Sequence, residues 1–207
     1  MRVLTALHPA LQTKAKKLVE LAKGKGLTII ISETVRTKTE QDALYAKGRT
    51  APGPIVTNCQ YPFSPHNWGV AFDFAVIGSN GSAAWSATTD TDKDGKVDWN
   101  EVAILGKSLG LEWGGDWQRF IDRPHFEMPE YFPGNKADFL IAKYSKPINF
   151  IASWEEAKDM EPTIKAGKVT TPGKMINGEL WGPARKIAEA CDRVVTWDPK
   201  TMTATIK

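Results

Sequence analysis

The sequence predicts an α+β fold, a small mixed or antiparallel sheet with flanking helices, on three observations. Val70, Phe72, Phe74 and Val76 alternate with Ala71, Asp73 and Ala75 across residues 69–77, which is the period of a strand. Leu111-Glu112-Trp113 and Pro124-His125-Phe126-Glu127 read as two more short strands around a Gly114-Gly115 turn. Helical periods lie apart from these strands without regular βαβ alternation, the pattern of an α+β domain.

In chain order, Leu11, Ala15, Leu18, Val19 and Ala22 recur at helical spacing and are followed by Gly24 and Gly26, so an amphipathic helix with a glycine stop is expected. Leu27 to Ile31 then reads as a short buried strand. Thr37 or Thr39 caps a second helix that runs through Tyr45-Ala46-Lys47 to Gly48, and Ala51-Pro52-Gly53-Pro54 is loop. The alternation at 69–77 puts Asp73 on a face of small residues. Gly78 to Asp98 is rich in Gly, Ser, Thr and Asp and reads as a long loop, before a helix from Trp99 to Leu109. A boundary near Tyr144-Ser145-Lys146-Pro147 divides the chain into residues 1–144 and 145–207. In the second part Ala184, Ile187, Ala188 and Cys191 mark a helix face, and Val194 to Trp197 with Met202, Ala204 and Ile206 form a hairpin.

Composition narrows the function. A chain of 207 residues with 42% hydrophobic and 10% aromatic residues can bury a core and is not disordered. A net charge of +3 with no long basic run does not indicate nucleic acid as a partner. No apolar run approaches the length of a membrane span, and the first residues lack a secretory cleavage signal. Cys59 and Cys191 are far apart and form no Cys-x-x-Cys, so neither a thiolate zinc site nor a disulfide is expected. His-Glu-x-x-His, Gly-x-Ser-x-Gly and a complete phosphate loop are all absent.

Two of the three histidines stand near carboxylates: His66 and Asp73 in Ser64-Pro65-His66-Asn67-Trp68-Gly69-Val70-Ala71-Phe72-Asp73, and His125 in Asp122-Arg123-Pro124-His125. Imidazole and carboxylate are the donors zinc takes where cysteine is absent, and three protein ligands plus water make a catalytic zinc. His66, Asp73 and His125 would supply the three. Spacing alone leaves open whether they meet in space or are ordinary core and surface residues.

The string Ser64-x-His66-x-x-Gly69-x-Ala71-x-Asp73, then Trp113-Gly114-Gly115-Asp116-Trp117 and Asp122-x-x-His125-Phe126-Glu127, closely resembles the zinc D-alanyl-D-alanine carboxypeptidase and L-alanyl-D-glutamate endopeptidase family that includes phage endolysins. Arg36-Thr37, Gln41, Leu44-Tyr45, Gly48-Arg49-Thr50 and Pro52-Gly53 look like the same family, and the match spans roughly residues 5 to 130. The resemblance implies His66, Asp73 and His125 as zinc ligands and Asp122 as the catalytic carboxylate that takes a proton from a water whose pKa zinc lowers to about 7. It implies Arg36 facing the substrate carbonyl to stabilise the developing oxyanion, and Ser64 as a group binding substrate or orienting a ligand. The implied substrate is bacterial peptidoglycan, cut in its stem peptide at the L-alanyl-D-glutamate bond. Removal of terminal D-alanine, or wall binding around a structural zinc, are the other readings of the same motifs. A monomeric lysis enzyme made in the bacterial host cytoplasm without a signal, acting on the wall after release, fits these expectations.

A second metal site is expected in the long loop. Asp90-Thr91-Asp92-Lys93-Asp94-Gly95-Lys96-Val97-Asp98-Trp99-Asn100-Glu101 fits a twelve-residue EF-hand loop: Asp90, Asp92, Asp94, Asp98 and Glu101 offer carboxylates, Lys96 its backbone carbonyl, and Gly95 the sharp turn. Residues 79–89 do not read as the incoming helix of a full EF-hand, and calcium is expected to order this loop and gate the zinc cleft.

At the C-terminus, Ile176 to Arg185, Ile187 to Ala190 and Val195 to Thr201 resemble the small β-α-β-β module called copper amine oxidase N-terminal-like, or stalk. That resemblance implies a wall-associated module, without copper chemistry, since residues 146–207 contain no histidine.

Overall fold

The computed structural model describes residues 3–132 and 137–158 continuously, with side chains through Trp154, and beyond them the backbone of six strands between 163 and 206. Two compact units result, Met1–Ile151 and Ala152–Lys207.

In the first unit, helix α1 (Pro9–Gly24) begins with Pro at its first position and buries Leu11, Ala15, Leu18 and Ala22 on one face, the spacing that predicted it. Strand β1 (Ile29–Glu33) follows. Helix α2 (Lys38–Ala46) opens with a complete capping box: Thr37 accepts from the Glu40 backbone amide, and the Glu40 carboxylate accepts from that of Thr37. Strand β2 (Ala71–Val76) is the alternating segment. Helix α3 (Asp98–Ser108) ends the long loop, strand β3 (Glu112–Trp113) leads into a tight turn at Gly114–Asp116, and strand β4 (His125–Glu127) closes the set.

The sheet order is β1-β2-β4-β3, and every pairing is antiparallel. One sheet face is hydrophobic. Phe72, Phe74 and Phe126 are fully buried there, and α1 and α3 pack on each other and against this part of the fold. The Trp99 ring lies 5.1 Å from that of Phe74, and Phe74 stacks on Phe126 at 5.3 Å. The Gly106 Cα approaches so closely that a Cβ there would lie 2.3 Å from the Phe126 ring. The alternate residues, Asp73, His125 and Glu127, therefore project from the other face.

Helices α4 (Asp138–Tyr144) and α5 (Pro147–Lys158) were not anticipated. The punctuation at Ser145-Lys146-Pro147 looks like a linker in sequence, but Ser145 (φ 65°) ends one helix and Pro147 begins the next. The expected 144/145 division lies between these helices. Phe150 of α5 packs against Tyr131, Tyr144 and Trp68.

Among the described residues the second unit holds six strands, three more than the expected β-α-β-β module. They are β5 (Thr163–Ala166), β6 (Val169–Pro172), β7 (Lys174–Ile176), β8 (Glu179–Trp181), β9 (Val195–Asp198) and β10 (Thr203–Ile206). Four form a sheet in the order β6-β5-β10-β9, with β5 and β10 parallel, and β7-β8 is a separate hairpin. Strands of three or four residues are too short for alternation to show. The expected β9-β10 hairpin is present, whereas the helix expected at 184–191 and Cys191 lie outside the described residues. Among the described residues no helix is long and apolar enough to cross a membrane.

Gly106→Ala tests the packing of α3 on the sheet. Alanine gains about 1 kcal/mol of helix propensity, but its methyl collides with a fully buried ring, and overpacking costs about 1–3 kcal/mol. Net destabilisation is expected in urea unfolding, with a lowered midpoint and an unchanged slope.

Candidate metal centre

Asp73 and His125 are directly opposed in the β2-β4 register, so backbone pairing alone sets the two side chains next to each other. His66 comes from a separate 3-10 turn, Pro65–Trp68, that Gly69 ends in a left-handed conformation (φ 66°). Backbone hydrogen bonds from Arg36 to the His66 carbonyl and from His8 to the Gly69 carbonyl hold this turn, and Asn67 donates its side-chain amide to the Arg36 carbonyl.

His66 Nε2 lies 3.1 Å from His125 Nδ1 and 3.2 Å from Asp73 Oδ1, and His125 Nδ1 lies 3.2 Å from the same oxygen. Three donors bound to zinc at 2.0–2.1 Å with tetrahedral angles would be about 3.3 Å apart. The observed triangle has that size, so the predicted trio converges and fits the ion.

The surrounding contacts fix which atom of each ligand is offered. His66 Nδ1 lies 2.8 Å from the Thr34 carbonyl, which can only accept, so that nitrogen carries the proton and Nε2 keeps its lone pair. His125 is reversed: its Nε2 donates to Glu127 Oε2 at 2.9 Å, leaving Nδ1 for the metal. Asp73 presents Oδ1 inward while Oδ2 accepts from Arg36 Nη2 at 2.8 Å. Arg36 Nε lies 3.7 Å from Glu33, which stands opposite Asp73 across a register shift in β1.

Burial and charge act against each other here. Burial lowers the His66 pKa, with Asp73 opposing it. Burial also penalises the Asp73 carboxylate, but His66 and His125 outweigh it and hold Asp73 well below the usual carboxylate range. His125 is pulled down by burial, yet its hydrogen bonds to Asp73 and Glu127 prevail and push it up to about 10. In the metal-free protein, therefore, one ligand carries a proton that a cation must displace.

Asp122 lies on the segment between the Gly114–Asp116 turn and β4. Its amide donates to the Gly114 carbonyl at 2.9 Å, and its carbonyl accepts from the His125 amide at 3.2 Å. A Cβ on Gly114 would come within 2.5 Å of the Asp122 carbonyl, so only glycine allows this approach. Burial raises the Asp122 pKa and the charge of Asp73 adds to it, with His125 and Arg36 opposing. Arg36, expected to face a substrate carbonyl, has Nη2 engaged by Asp73. Ser64 is buried where the His66 turn begins and makes no side-chain cap bond.

Three further residues belong to the site. Glu127 is 1% exposed and orients His125; its position two residues along the same strand was a legible signal. The Thr34 carbonyl orients His66, for which no side-chain motif exists. The Trp117 ring lies 5.0 Å from that of His125 and walls the site, whereas Trp113 is buried and donates to the Arg123 carbonyl.

In the loop at 90–101, Asp90, Asp92 and Asp94 offer oxygens within 4.8 Å of one another, as do Asp92, Asp98 and Glu101. The Gly95 amide donates to Asp90 Oδ2 at 3.1 Å, and the Lys96 amide to Asp94 Oδ1 at 2.8 Å. Asp98 is fully buried; its Oδ2 accepts from Thr91, but its Oδ1 and Glu101 Oε2 are buried without a hydrogen-bond partner. The Lys96 ammonium touches Asp94 and lies 3.9 Å from Glu101.

Residues 57–128 match the family model described as D-alanyl-D-alanine carboxypeptidase. The chain is 46% identical over 128 residues to the peptidoglycan L-alanyl-D-glutamate endopeptidase CwlK of Bacillus subtilis (strain 168), an alignment covering 62% of this chain and 77% of that protein. It is 35% identical over 113 residues to the L-alanyl-D-glutamate peptidase of Listeria phage A118, covering 55% of this chain and 34% of that longer enzyme. A more distant likeness, at 20% identity and a TM-score of 0.44, is to the crystal structure of the Serratia marcescens L-Ala D-Glu endopeptidase ChiX, over 63% of this chain and 87% of that one. With all three convergent donors inside the matched segment, and with most of the Bacillus subtilis peptidase aligned to this chain, the chain belongs to the D-alanyl-D-alanine carboxypeptidase family of metallopeptidases.

Proposed function

We propose that the protein is a zinc-dependent peptidoglycan peptidase that hydrolyses the stem peptide at the L-alanyl-D-glutamate bond. The observation that carries this reading is the triangle of His66 Nε2, Asp73 Oδ1 and His125 Nδ1 at zinc-ligand spacing, with Asp122 beside it. The names of the two sequence relatives support the choice of bond.

Bound zinc would supply Lewis acidity, polarising the scissile carbonyl and acidifying water. The remaining steps fall to side chains of this chain. Asp122, its basicity raised by burial and by Asp73, takes the proton from the attacking water and returns it to the leaving amine. Arg36 neutralises Asp73 through Nη2 and sets positive charge beside the position where the oxyanion develops. Glu127 and the Thr34 carbonyl keep both imidazoles in the tautomers that face inward. Trp117, whose ring lies against that of His125, would wall the space a stem peptide enters, and a substrate-binding role for Ser64 rests on the sequence resemblance.

Calcium is the proposed occupant of the loop at 90–101, supported by its clustered carboxylates and by the two buried oxygens that lack protein partners. A wall-associated role for residues 145–207 rests on the sequence resemblance.

Mass spectrometry of fragments released from purified peptidoglycan tests the reaction. New amino-terminal D-glutamate, absent with His125→Ala, is expected; free D-alanine would move the assignment to a carboxypeptidase, and no release would refute an enzymatic role. Asp122→Asn is expected to keep zinc while losing at least about 100-fold in kcat, the scale of general-base catalysis.

Zinc affinity gives a second test. His125 must be neutral to bind, and its pKa of about 10 in the metal-free protein means that binding releases a proton. Affinity measured by chelator competition should therefore rise about tenfold per unit from roughly pH 7 to pH 9 and level off near 10. Glu127→Gln, which removes one cause of the raised pKa, should bring that levelling to lower pH.

A further inference from the structure

We propose that Glu33 is a positioning residue for the metal centre, its one carboxylate setting the orientation of both His66 and Asp73, an inference that rests on reading the donor triangle as a zinc site, whichever peptide bond is cut.

The place of Glu33 follows from an irregularity in the strand. Ile31 pairs with Phe74 and Glu33 with Asp73, so two steps along β1 answer one step along β2, and Ser32 is the extra residue of a bulge. In a regular strand Glu33 would share the buried face of Ile31. The bulge turns it over, onto the face of Asp73, where directly opposed residues lie side by side. The interrupted ladder thus delivers a carboxylate to the neighbourhood of the metal donors.

The two oxygens of that carboxylate serve different ligands. Oε1 accepts from the Thr34 amide at 3.0 Å, and the carbonyl of the same buried Thr34 fixes His66 through Nδ1 at 2.8 Å. Oε2 lies 3.7 Å from Arg36 Nε, while Arg36 Nη2 holds Asp73 Oδ2 at 2.8 Å. Arg36 Nε is buried without a hydrogen-bond partner, so the Glu33 charge is what balances this edge of the guanidinium. Without that charge the guanidinium is free to turn about Asp73 and compete for the oxygen offered to the metal. The Arg36 amide also donates to the His66 carbonyl at 3.1 Å. Residues 33–36 therefore brace two of the three ligands, and Glu33 fastens the brace at both ends. His125 is oriented separately, by Glu127.

Zinc affinity of the full chain, measured by chelator competition at fixed pH, tests this role. Glu33→Gln keeps an oxygen for the Thr34 amide but sets an amide against Arg36, and a loss of about tenfold is expected, the scale of groups that orient metal ligands. Glu33→Ala removes both contacts and should lose more, up to about 100-fold. In an Arg36→Leu background, which has no guanidinium to steer, Glu33→Gln should change zinc affinity little, so the two substitutions are non-additive. Urea unfolding of the metal-free variants reports the fold separately. A lowered urea midpoint with unchanged zinc affinity would make Glu33 a merely structural residue and overturn the proposal. An equal loss in both backgrounds would overturn it as well, because Glu33 would then act only as a distant negative charge. Failure of the wild-type chain to bind zinc would overturn the reading of the donor triangle, and this role with it. Cleavage at another bond, or none, leaves the expected affinities unchanged.

Discussion

The opposition of Asp73 and His125 across β2 and β4 is the constraint on which the site depends. Residues 52 positions apart in sequence are brought side by side by ladder hydrogen bonds, and a slip of one residue would turn one of them into the hydrophobic layer. Phe72, Phe74 and Phe126 guard against that slip, because their burial on the other face fixes the register. The hydrophobic core and the polar centre are thus two sides of one alternation. His66 alone is placed by a turn, and that turn is fastened to the segment between β1 and α2 by the Arg36 backbone amide and by the Asn67 side chain, which donates to the Arg36 carbonyl.

Charge is distributed around this geometry in an alternating chain. Glu33 faces Arg36, Arg36 faces Asp73, Asp73 faces both histidines, and His125 faces Glu127. Removing one partner would leave a buried charge uncompensated, which costs more than the lost contact itself. A divalent cation at the donor triangle would replace the His125 proton as the positive charge between two carboxylates, so the alternation of charge is kept both with and without metal.

Much of this was legible in the sequence because the chemistry lies on periodic elements. The 69–77 alternation identified the strand that carries Asp73, and the two motifs named all three donors, since histidine is scarce in this chain and both motifs surround one. The orienting groups were harder to read. Thr34 acts through its carbonyl, which any residue possesses, and nothing in the spacing of Trp117 distinguishes it from buried Trp113. Arg36 was foreseen at the site but not its grip on Asp73, because one guanidinium can serve several neighbours and only geometry decides which. Helices α4 and α5 escaped because the Ser-Lys-Pro punctuation between them looks like a linker, and the short C-terminal strands because three residues do not make a period.

The two histidines present opposite nitrogens, Nε2 from His66 and Nδ1 from His125, each dictated by the acceptor behind the ring. They are consequently side chains of different effective reach: the inward atom of His125 is one bond from the ring carbon next to Cβ, while that of His66 is at the far edge. Amide side chains reproduce these reaches separately, asparagine the shorter and glutamine the longer. A donor set rebuilt for another metal must therefore treat positions 66 and 125 as a long arm and a short arm, although the sequence writes both with the same residue.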